Sequence, residues 1–320
     1  MGDLDRFHAK RAAIIYNPIA RGLARHKHSL QRTIAVLAQQ SIEAHLVATT
    51  EPGSATVQAE QQIAAGCDLI IAAGGDGTIN EVANGMLDTR VPLAILPGGT
   101  ANVLAHELKI RLDVEAAAKD IYALQPCRVS VGSLRVEQSK PRCFLCMAGA
   151  GLDAQIVSGL NLRLKQATGK LAYYVCAFSH AVRRFDEFEV TVDGERFEAS
   201  FALVSRVRNY GGDLEIARNA SLLRDDFEVV LFRGTQGARY LGYFAGVAMK
   251  RLDRMKGCTV IRGRSVKCDA AGRQIFVQVD GELAGQLPVE ASVLPEALTL
   301  LVPAEYVRQE QALVAVPVCA

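Results

Sequence analysis

The hydrophobic positions of the chain follow two different patterns, and the change falls near residue 128. Before it, short runs of consecutive apolar residues alternate with longer segments of helical period. Such runs are typical of strands buried on both faces, and their alternation with helices predicts a parallel sheet in an α/β domain. The expected strands are 12–16, 44–48, 69–73 and 92–96, with helices at 29–40, 53–65, from 78 onward and at 102–108.

After residue 128, the apolar positions mostly alternate with polar ones, as in strands that are half buried. This pattern predicts a second, mainly antiparallel domain, so we place one domain at 1–127 and another at 128–303. The apolar final segment, 304–320, is expected to pack back on the first domain. The expected strands are 129–137, 144–147, 187–192, 201–207, 227–232, 258–263, 275–279 and 298–302, with helices at 165–184 and 237–255.

Composition narrows the class of protein. The chain has 320 residues, and 50% of them are hydrophobic, which suits two domains with substantial cores. Its net charge of +2 argues neither for nor against nucleic acid, and no such partner is expected. No apolar run of about 18 residues and no N-terminal signal segment occur, which predicts a cytoplasmic protein without a transmembrane segment. The eight cysteines, including Cys143 and Cys146 on one expected strand, are interpreted as buried thiols.

A glycine-rich turn follows the third expected strand. It contains Gly74, Gly75 and Gly77 around Asp76. Glycines let the backbone turn sharply and approach a ligand closely. Thr78 and Glu81 have the spacing of a capping box, which predicts that a helix starts there. A strand, a glycine turn and a helix N-terminus in this order favour a phosphate-binding site, although a plain turn is the alternative.

Unusual turns follow all four expected strands of the first domain. They begin at Asn17, Thr49, Gly74 and Gly98. Because ligands of parallel sheets bind at the carboxyl ends of the strands, the coincidence strengthens the prediction of a ligand site at this edge.

Five segments in order resemble the diacylglycerol kinase catalytic-domain family, which includes bacterial lipid kinases and relatives of sphingosine kinase. The segments are Asn17-Pro18 with Gly22, residues 74–81 (GGDGTINE), residues 98–102 (GGTAN), residues 148–154 (AGAGLDA) and Asp280-Gly281-Glu282. The resemblance implies an α/β nucleotide domain followed by a β-sandwich. It also implies transfer of the γ-phosphoryl group of ATP to a lipid hydroxyl.

The resemblance also implies which residues would hold the nucleotide. Asp76 is expected to act through Mg²⁺ or the ribose hydroxyls. Asn80 and Asn102 have an alternative role in the first turns of their helices. The expected nucleotide residues are Asn17, Pro18, Gly22, Thr49, Gly74, Gly75, Asp76, Gly77, Thr78, Ile79, Asn80, Gly99, Thr100 and Asn102.

The expected metal segment departs from the family pattern. Arg206 stands where the family has Asn, Asp213 replaces a glycine, Arg218 replaces a proline, and Arg224 falls on the family's metal-binding aspartate. Two alternatives are open. Asp225 and Asp226 bind the metal after a local shift of the alignment, or an arginine occupies the place of the cation.

The general base is expected in Asp280-Gly281-Glu282. Asp280 and Glu282 are both candidates, with Asp280 preferred because Gly285 and Pro288 follow at the family's spacing. The alternative is a simple Asp-Gly hairpin turn, which the second such sequence, at 193–195, is interpreted to be.

The sequence therefore predicts an ATP- and Mg²⁺-dependent lipid kinase acting on a diacylglycerol-like lipid. A soluble kinase related to the NAD kinases and a non-catalytic nucleotide- or lipid-binding protein are the alternatives. The lipid would be reached at the inner membrane face, with a peripheral location, and a homodimer is left open. Basic helix faces would contact anionic lipid, or would simply be solvated. Their residues are Arg163, Lys165, Lys170, Arg183, Arg184, Lys250, Arg251, Arg254 and Lys256.

Overall fold

The computed structural model describes residues 8–24, 28–137, 139–151, 185–211, 214–249 and 251–315. The helix expected at 165–184, with its basic residues, lies outside the described residues, as do Lys250 and Asp213. The chain divides into two compact units, Met1–Ser130 with Glu296–Ala320, and Val131–Pro295. The sequence had put these divisions at 127/128 and 303/304. Within the described residues, no helix has the length and apolar character needed to cross a bilayer.

The first unit is built on parallel strands separated by helices. Leu69–Gly74 is buried along its whole length, which explains its uninterrupted apolar sequence. Its elements are β1 (Arg11–Tyr16), α1 (Arg21–Ala24), α2 (Ser29–Gln39), β2 (Glu43–Ala48), α3 (Ser54–Ala64), β3 (Leu69–Gly74), α4 (Asp76–Asn84), β4 (Leu93–Pro97), α5 (Val103–Glu107), α6 (Val114–Asp120) and a 3₁₀ turn (Ile121–Ala123).

The second unit is mainly antiparallel, as the alternating pattern predicted. Its elements are β5 (Leu124–Val136), which begins in the first unit, β6 (Arg142–Phe144), β7 (Met147–Gly151), β8 (Phe188–Val192), β9 (Glu195–Ala199), β10 (Phe201–Ser205), β11 (Asn209–Tyr210), β12 (Leu214–Glu215), β13 (Phe227–Phe232), α7 (Gly237–Ala248), a 3₁₀ turn (Leu252–Arg254), β14 (Cys258–Gly263), β15 (Ser265–Asp269), β16 (Phe276–Val279) and β17 (Glu282–Gln286).

The chain then returns to the first unit. Strand β18 (Val289–Pro303) starts in the second unit and ends in the first, where Leu300 pairs in parallel with Leu93 of β4. Helix α8 (Ala304–Ala315) follows, and its Tyr306 is buried and donates a 3.2 Å hydrogen bond to the Glu107 carboxylate. The first unit therefore has the strand order β2-β1-β3-β4-β18.

Two facing layers enclose the core of the second unit. One sheet has the strand order β14-β13-β10-β7-β16-β17, and the other contains β18, β15, β8 and β9. Val204 and Val229 of the first layer belong to the same buried cluster as Val190 and Val266 of the second. This is the β-sandwich that the family resemblance implied.

The start of one helix and the extent of one strand were predicted wrongly, and several elements were missed. Helix α4 begins at Asp76 with Gly75 in an extended conformation as its N-cap, so Thr78 and Glu81 do not form a capping box. The strand expected at 144–147 is broken, because β6 ends at Phe144 and β7 begins at Met147. Helix α6 and strands β9, β15 and β17 were not predicted.

Candidate active site

Three glycine loops of the first unit are joined by backbone hydrogen bonds. The Gly22 N–H donates to the Gly98 carbonyl at 2.9 Å, and the Gly98 N–H donates to the Gly74 carbonyl at 2.7 Å. The Asn17 N–H also donates to the Ala73 carbonyl at 3.2 Å. These loops follow β1, β3 and β4, which are neighbours in the sheet. The predicted loops therefore meet at the carboxyl edge of the parallel strands.

Close backbone contact between these loops requires glycine at particular positions. A Cβ atom on Gly99 would lie 2.5 Å from the Gly75 Cα, far inside van der Waals contact. A Cβ on Gly22 would lie 3.0 Å from the Gly98 carbonyl oxygen. Both obstacles are backbone atoms, which cannot move aside as a flexible side chain would. The glycines thus allow the loops to pack together as one backbone-lined surface.

The N-terminus of α4 opens at this surface. Gly75, its N-cap, provides no side-chain oxygen to bind the first helical N–H groups. These groups and the positive end of the helix dipole favour an anion such as phosphate. Gly75, Gly77 and Thr78 are only partly buried, so their backbone reaches the surface. This geometry supports the prediction that the glycine turn holds phosphate.

Asp76 connects this loop to the next helix. Its carboxylate accepts a hydrogen bond from the Leu104 N–H, in the first turn of α5, at 3.4 Å. Although part of Asp76 reaches solvent, its carboxyl group is enclosed, and desolvation raises its pKa while backbone N–H groups oppose the shift. The sequence had assigned Asp76 to Mg²⁺ or ribose; the structure also gives it a role in holding α5.

We expect Asp76→Ala to lower the free energy of unfolding by about 1 kcal/mol, because α5 loses a capping acceptor. Asp76→Asn retains an acceptor oxygen and is the matched control. Because burial raises the pKa of Asp76, the folded state binds its proton more readily than the unfolded state does. Wild-type stability relative to Asp76→Asn should therefore fall as pH rises through the raised pKa, and then stay level. Denaturant titrations at several pH values would measure this, and a pH-independent difference would contradict it.

Asn102 shapes the third loop from within. It has a left-handed backbone with φ of 48°. Its side-chain oxygen accepts from the Gly99 N–H at 2.8 Å, and its amide donates to the Gly99 carbonyl at 3.1 Å. Asn80 is buried, and its carbonyl accepts from the Asn84 side chain at 2.8 Å. Asn102 therefore shapes the third loop from the N-cap position of α5, whereas Asn80 lies inside α4, beyond its first turn. The nucleotide roles of both asparagines stay predictions.

Of the remaining predicted nucleotide residues, three have side chains that reach solvent and one is buried. Pro18 is exposed, and Thr49 and Thr100 are half-buried, so their surfaces reach solvent. Thr49 follows β2, and its N–H donates to the Tyr16 carbonyl at 2.9 Å, which places it at the same sheet edge. Ile79 differs because its side chain is buried and its N–H donates to the Gly75 carbonyl at 3.1 Å. We therefore leave Ile79 out of the site proposed below.

In the second unit, Asp280 and Gly281 form a two-residue hairpin turn between β16 and β17. Both have positive φ, 47° and 83°, and Val279 pairs with Glu282. The Asp280 carboxylate accepts three backbone hydrogen bonds, from the N–H groups of Leu145 (2.9 Å), Cys146 (2.9 Å) and Met147 (2.8 Å). Asp280 thus anchors the segment between β6 and β7 to the hairpin.

The second Asp-Gly sequence provides an internal comparison. Asp193 and Gly194 also form a two-residue hairpin turn, with φ of 46° and 93°. The Asp193 carboxylate likewise accepts backbone N–H groups, from Arg264 and from Ser265. Because Asp193 anchors its hairpin in the same way, the hydrogen bonds of Asp280 can be accounted for by a structural role at the hairpin, without a catalytic one. This weakens the preference for Asp280 as the base.

Glu282 is the more accessible of the two acids. Its side chain is 47% exposed, and it pairs with Arg142 at 2.5 Å. An exposed carboxylate has lone pairs that can accept a proton from a substrate hydroxyl. The sequence gave no sign of Arg142, because its pairing with Glu282 depends on β5, β6 and β17 coming together.

Asp226, one of the two predicted metal residues, is paired with arginine side chains. Asp226 accepts hydrogen bonds from Arg262 at 2.9 and 2.5 Å, and Arg224 approaches the same carboxylate at 3.7 Å. Asp225 is half-buried. Within the part of the chain that the structure describes, no three or more His, Cys, Asp or Glu residues are grouped as metal ligands. We therefore do not carry Asp226 forward as a ligand.

Comparison with known proteins places these features in a family. Residues 11–134 match the diacylglycerol kinase catalytic domain, and residues 146–302 match the YegS C-terminal NAD kinase beta sandwich-like domain. The chain is 32% identical over 308 residues to a diacylglycerol kinase of Bacillus subtilis (strain 168), covering 94% of this chain and 99% of that protein. It is 28% identical over 307 residues to a diacylglycerol kinase of Staphylococcus aureus (strain MRSA252), covering 94% and 95%.

Solved structures share the fold. The crystal structure of a diacylglycerol kinase from Bacillus anthracis str. Sterne has a TM-score of 0.76 and 24% identity, covering 94% of this chain and 99% of that chain. A second crystal structure from that organism has a TM-score of 0.80 over 96% of this chain and 99% of the other, also at 24% identity. At this identity the likeness establishes the fold of an α/β domain with a β-sandwich.

Proposed function

Because the chain belongs to the diacylglycerol kinase family, we propose that it transfers the γ-phosphoryl group of ATP to a hydroxyl of a diacylglycerol-like lipid. The observation that carries this proposal is the set of three interlocked glycine loops at the carboxyl edge of β1, β3 and β4. Phosphoryl transfer depends mainly on positioning and on neutralising charge, and backbone N–H groups at a helix N-terminus suit both needs.

In this proposal the loops bind the nucleotide as one surface. The α4 N-terminus would hold phosphate through the backbone of Gly75, Gly77 and Thr78. Asp76 and Asn102 would keep the second and third loops in place through their hydrogen bonds. Such a backbone-lined surface fits a polyphosphate, whose Mg²⁺ would arrive with it and neutralise its charge. We assign no side-chain ligand to that ion.

Glu282 is proposed as the general base, and Asp280 as its positioning residue. The Asp280 oxygens already accept hydrogen bonds from three backbone N–H groups, whereas the Glu282 side chain is 47% exposed. By accepting the proton of the lipid hydroxyl, Glu282 would increase the nucleophilicity of that oxygen. The fixed hairpin turn would hold Glu282 at the start of β17.

A membrane-surface location is part of the same proposal. Arg251, Arg254 and Lys256 are exposed around the 3₁₀ turn, and the apolar side chain of Met249 is 61% exposed beside them. Cations with a neighbouring apolar side chain suit the surface of an anionic bilayer. Such a surface would give the protein access to a lipid substrate.

Incubation with γ-labelled ATP and Mg²⁺ would test the function. Acceptors should include mixed micelles of diacylglycerol, of monoacylglycerol and of sphingosine, with NAD as a soluble acceptor. We expect label in phosphorylated diacylglycerol or a closely related lipid, and none with heat-denatured protein. Labelled NADP would instead support the NAD kinase-like alternative. ATP binding without transfer to any acceptor would support the non-catalytic one.

A further inference from the structure

The segment Leu222–Asp226 wraps around a buried positive charge. Arg206 has no exposed surface, although arginine is rarely buried completely. Its guanidinium donates to the carbonyl oxygens of Leu222 at 2.9 Å, of Arg224 at 2.6 Å, and of Asp226. The three carbonyl groups therefore converge on one cation, as carbonyl oxygens do around a bound metal ion.

Arginine side chains also neutralise the negative charge of the Asp226 side chain in the same segment. The Asp226 carboxylate accepts two hydrogen bonds from Arg262 and lies 3.7 Å from Arg224. A divalent cation at this carboxylate would have to displace a two-point guanidinium contact and would face the positive charge of Arg224 nearby. Asp226, paired with arginine in this way, does not fit the metal that was expected at Asp225 and Asp226.

We propose that the Arg206 guanidinium is a built-in cation that holds Leu222–Asp226 in place of a metal ion, so that this segment folds without any divalent cation. Arg262 completes the arrangement by pairing with Asp226. The backbone of Arg206 is fixed in turn, because its N–H donates to the Cys146 carbonyl at 2.8 Å. The proposal concerns folding and is independent of the lipid kinase activity proposed above.

Metal content and melting temperature of the nucleotide-free wild-type protein test this directly. The protein is dialysed against EDTA, its residual metal is measured, and its melting temperature is compared with and without added MgCl₂, CaCl₂ or MnCl₂. We expect no retained ion and the same melting temperature in all four samples. A retained stoichiometric ion, or a rise of several degrees on adding a cation, would overturn the proposal.

A set of variants tests the arginine itself. Arg206→Met leaves three carbonyl groups, one of them buried, without this donor, so its melting temperature should fall by roughly 5 °C or more. Arg206→Lys keeps the charge and should recover part of the loss. The matched control, Arg196→Met, changes a side chain that is 77% exposed and should melt like the wild type. If Arg206→Met had the same melting temperature as the wild type, that result would also overturn the proposal. If that variant does not fold, the wild-type metal measurements still decide the question.

Discussion

Replacing Glu282 with Gln should reduce phosphoryl transfer by roughly 10²–10⁴-fold without unfolding the protein, since an amide cannot accept the proton of the lipid hydroxyl. Gln has nearly the same size, and the Glu282 side chain is half exposed and paired with Arg142, so little packing is lost. A surface pair of this kind contributes about 0–1 kcal/mol to stability. The initial rate of lipid phosphorylation and the melting temperature would be measured together.

The chain provides a matched control on its other Asp-Gly-Glu hairpin. Glu195→Gln changes an exposed residue at the same position after an Asp-Gly turn and should leave the rate unchanged. Full activity in Glu282→Gln would contradict the assignment. If Asp280→Asn then remained folded and lost activity, the role of the base would pass to Asp280. We expect Asp280→Asn instead to lower stability, because one amide NH₂ would face backbone N–H groups that need acceptors.

The second large effect is expected from Gly99→Ala, which should weaken ATP binding roughly tenfold or more. Its new Cβ would lie 2.5 Å from the Gly75 Cα and 2.9 Å from the Asn102 side-chain oxygen. The second and third glycine loops, which precede α4 and α5, would have to move apart, at a cost of about 1–3 kcal/mol. Calorimetric titration with a non-hydrolysable ATP analogue would measure the change in affinity.

Gly242→Ala is the control for adding a methyl group. Gly242 lies in α7, and the nearest atom to its Cβ position is the Met255 Cε at 3.6 Å, an ordinary contact. Alanine is also the better helix former, so this variant should fold well and bind ATP like the wild type. Wild-type affinity in Gly99→Ala would show that close packing of the loops is not needed for nucleotide binding.

The strands of the first unit could be predicted because burial on both faces leaves an unbroken apolar sequence. Leu69–Gly74 and Leu93–Pro97 are buried throughout, so their apolar runs marked them clearly. The start of α4 was misplaced because the capping-box rule looks for a side-chain acceptor. The chain instead enters this helix through Gly75 in an extended conformation, with no side-chain cap. A phosphate-binding helix start gains from leaving those N–H groups available.

The roles of the acids could not be predicted, because they depend on which distant segments meet. Asp280 binds backbone groups that lie 133 to 135 residues earlier, and Asp226 pairs with Arg262 of β14. In the sequence, Arg206 stands where the family has Asn, and one alternative considered was that an arginine occupies the place of the metal cation. Only the structure shows that its guanidinium reaches three carbonyl groups of one segment.

Hydrogen–deuterium exchange with and without an ATP analogue tests the central claim, that the three glycine loops form one nucleotide site. Exchange rates report local protection of backbone N–H groups. We predict that the analogue and Mg²⁺ slow exchange in 17–22, 74–78 and 98–102 together, while Mg²⁺ alone leaves 222–226 unchanged. Nucleotide binding that leaves all three loops unprotected, or protects only residues of the second unit, would contradict the account.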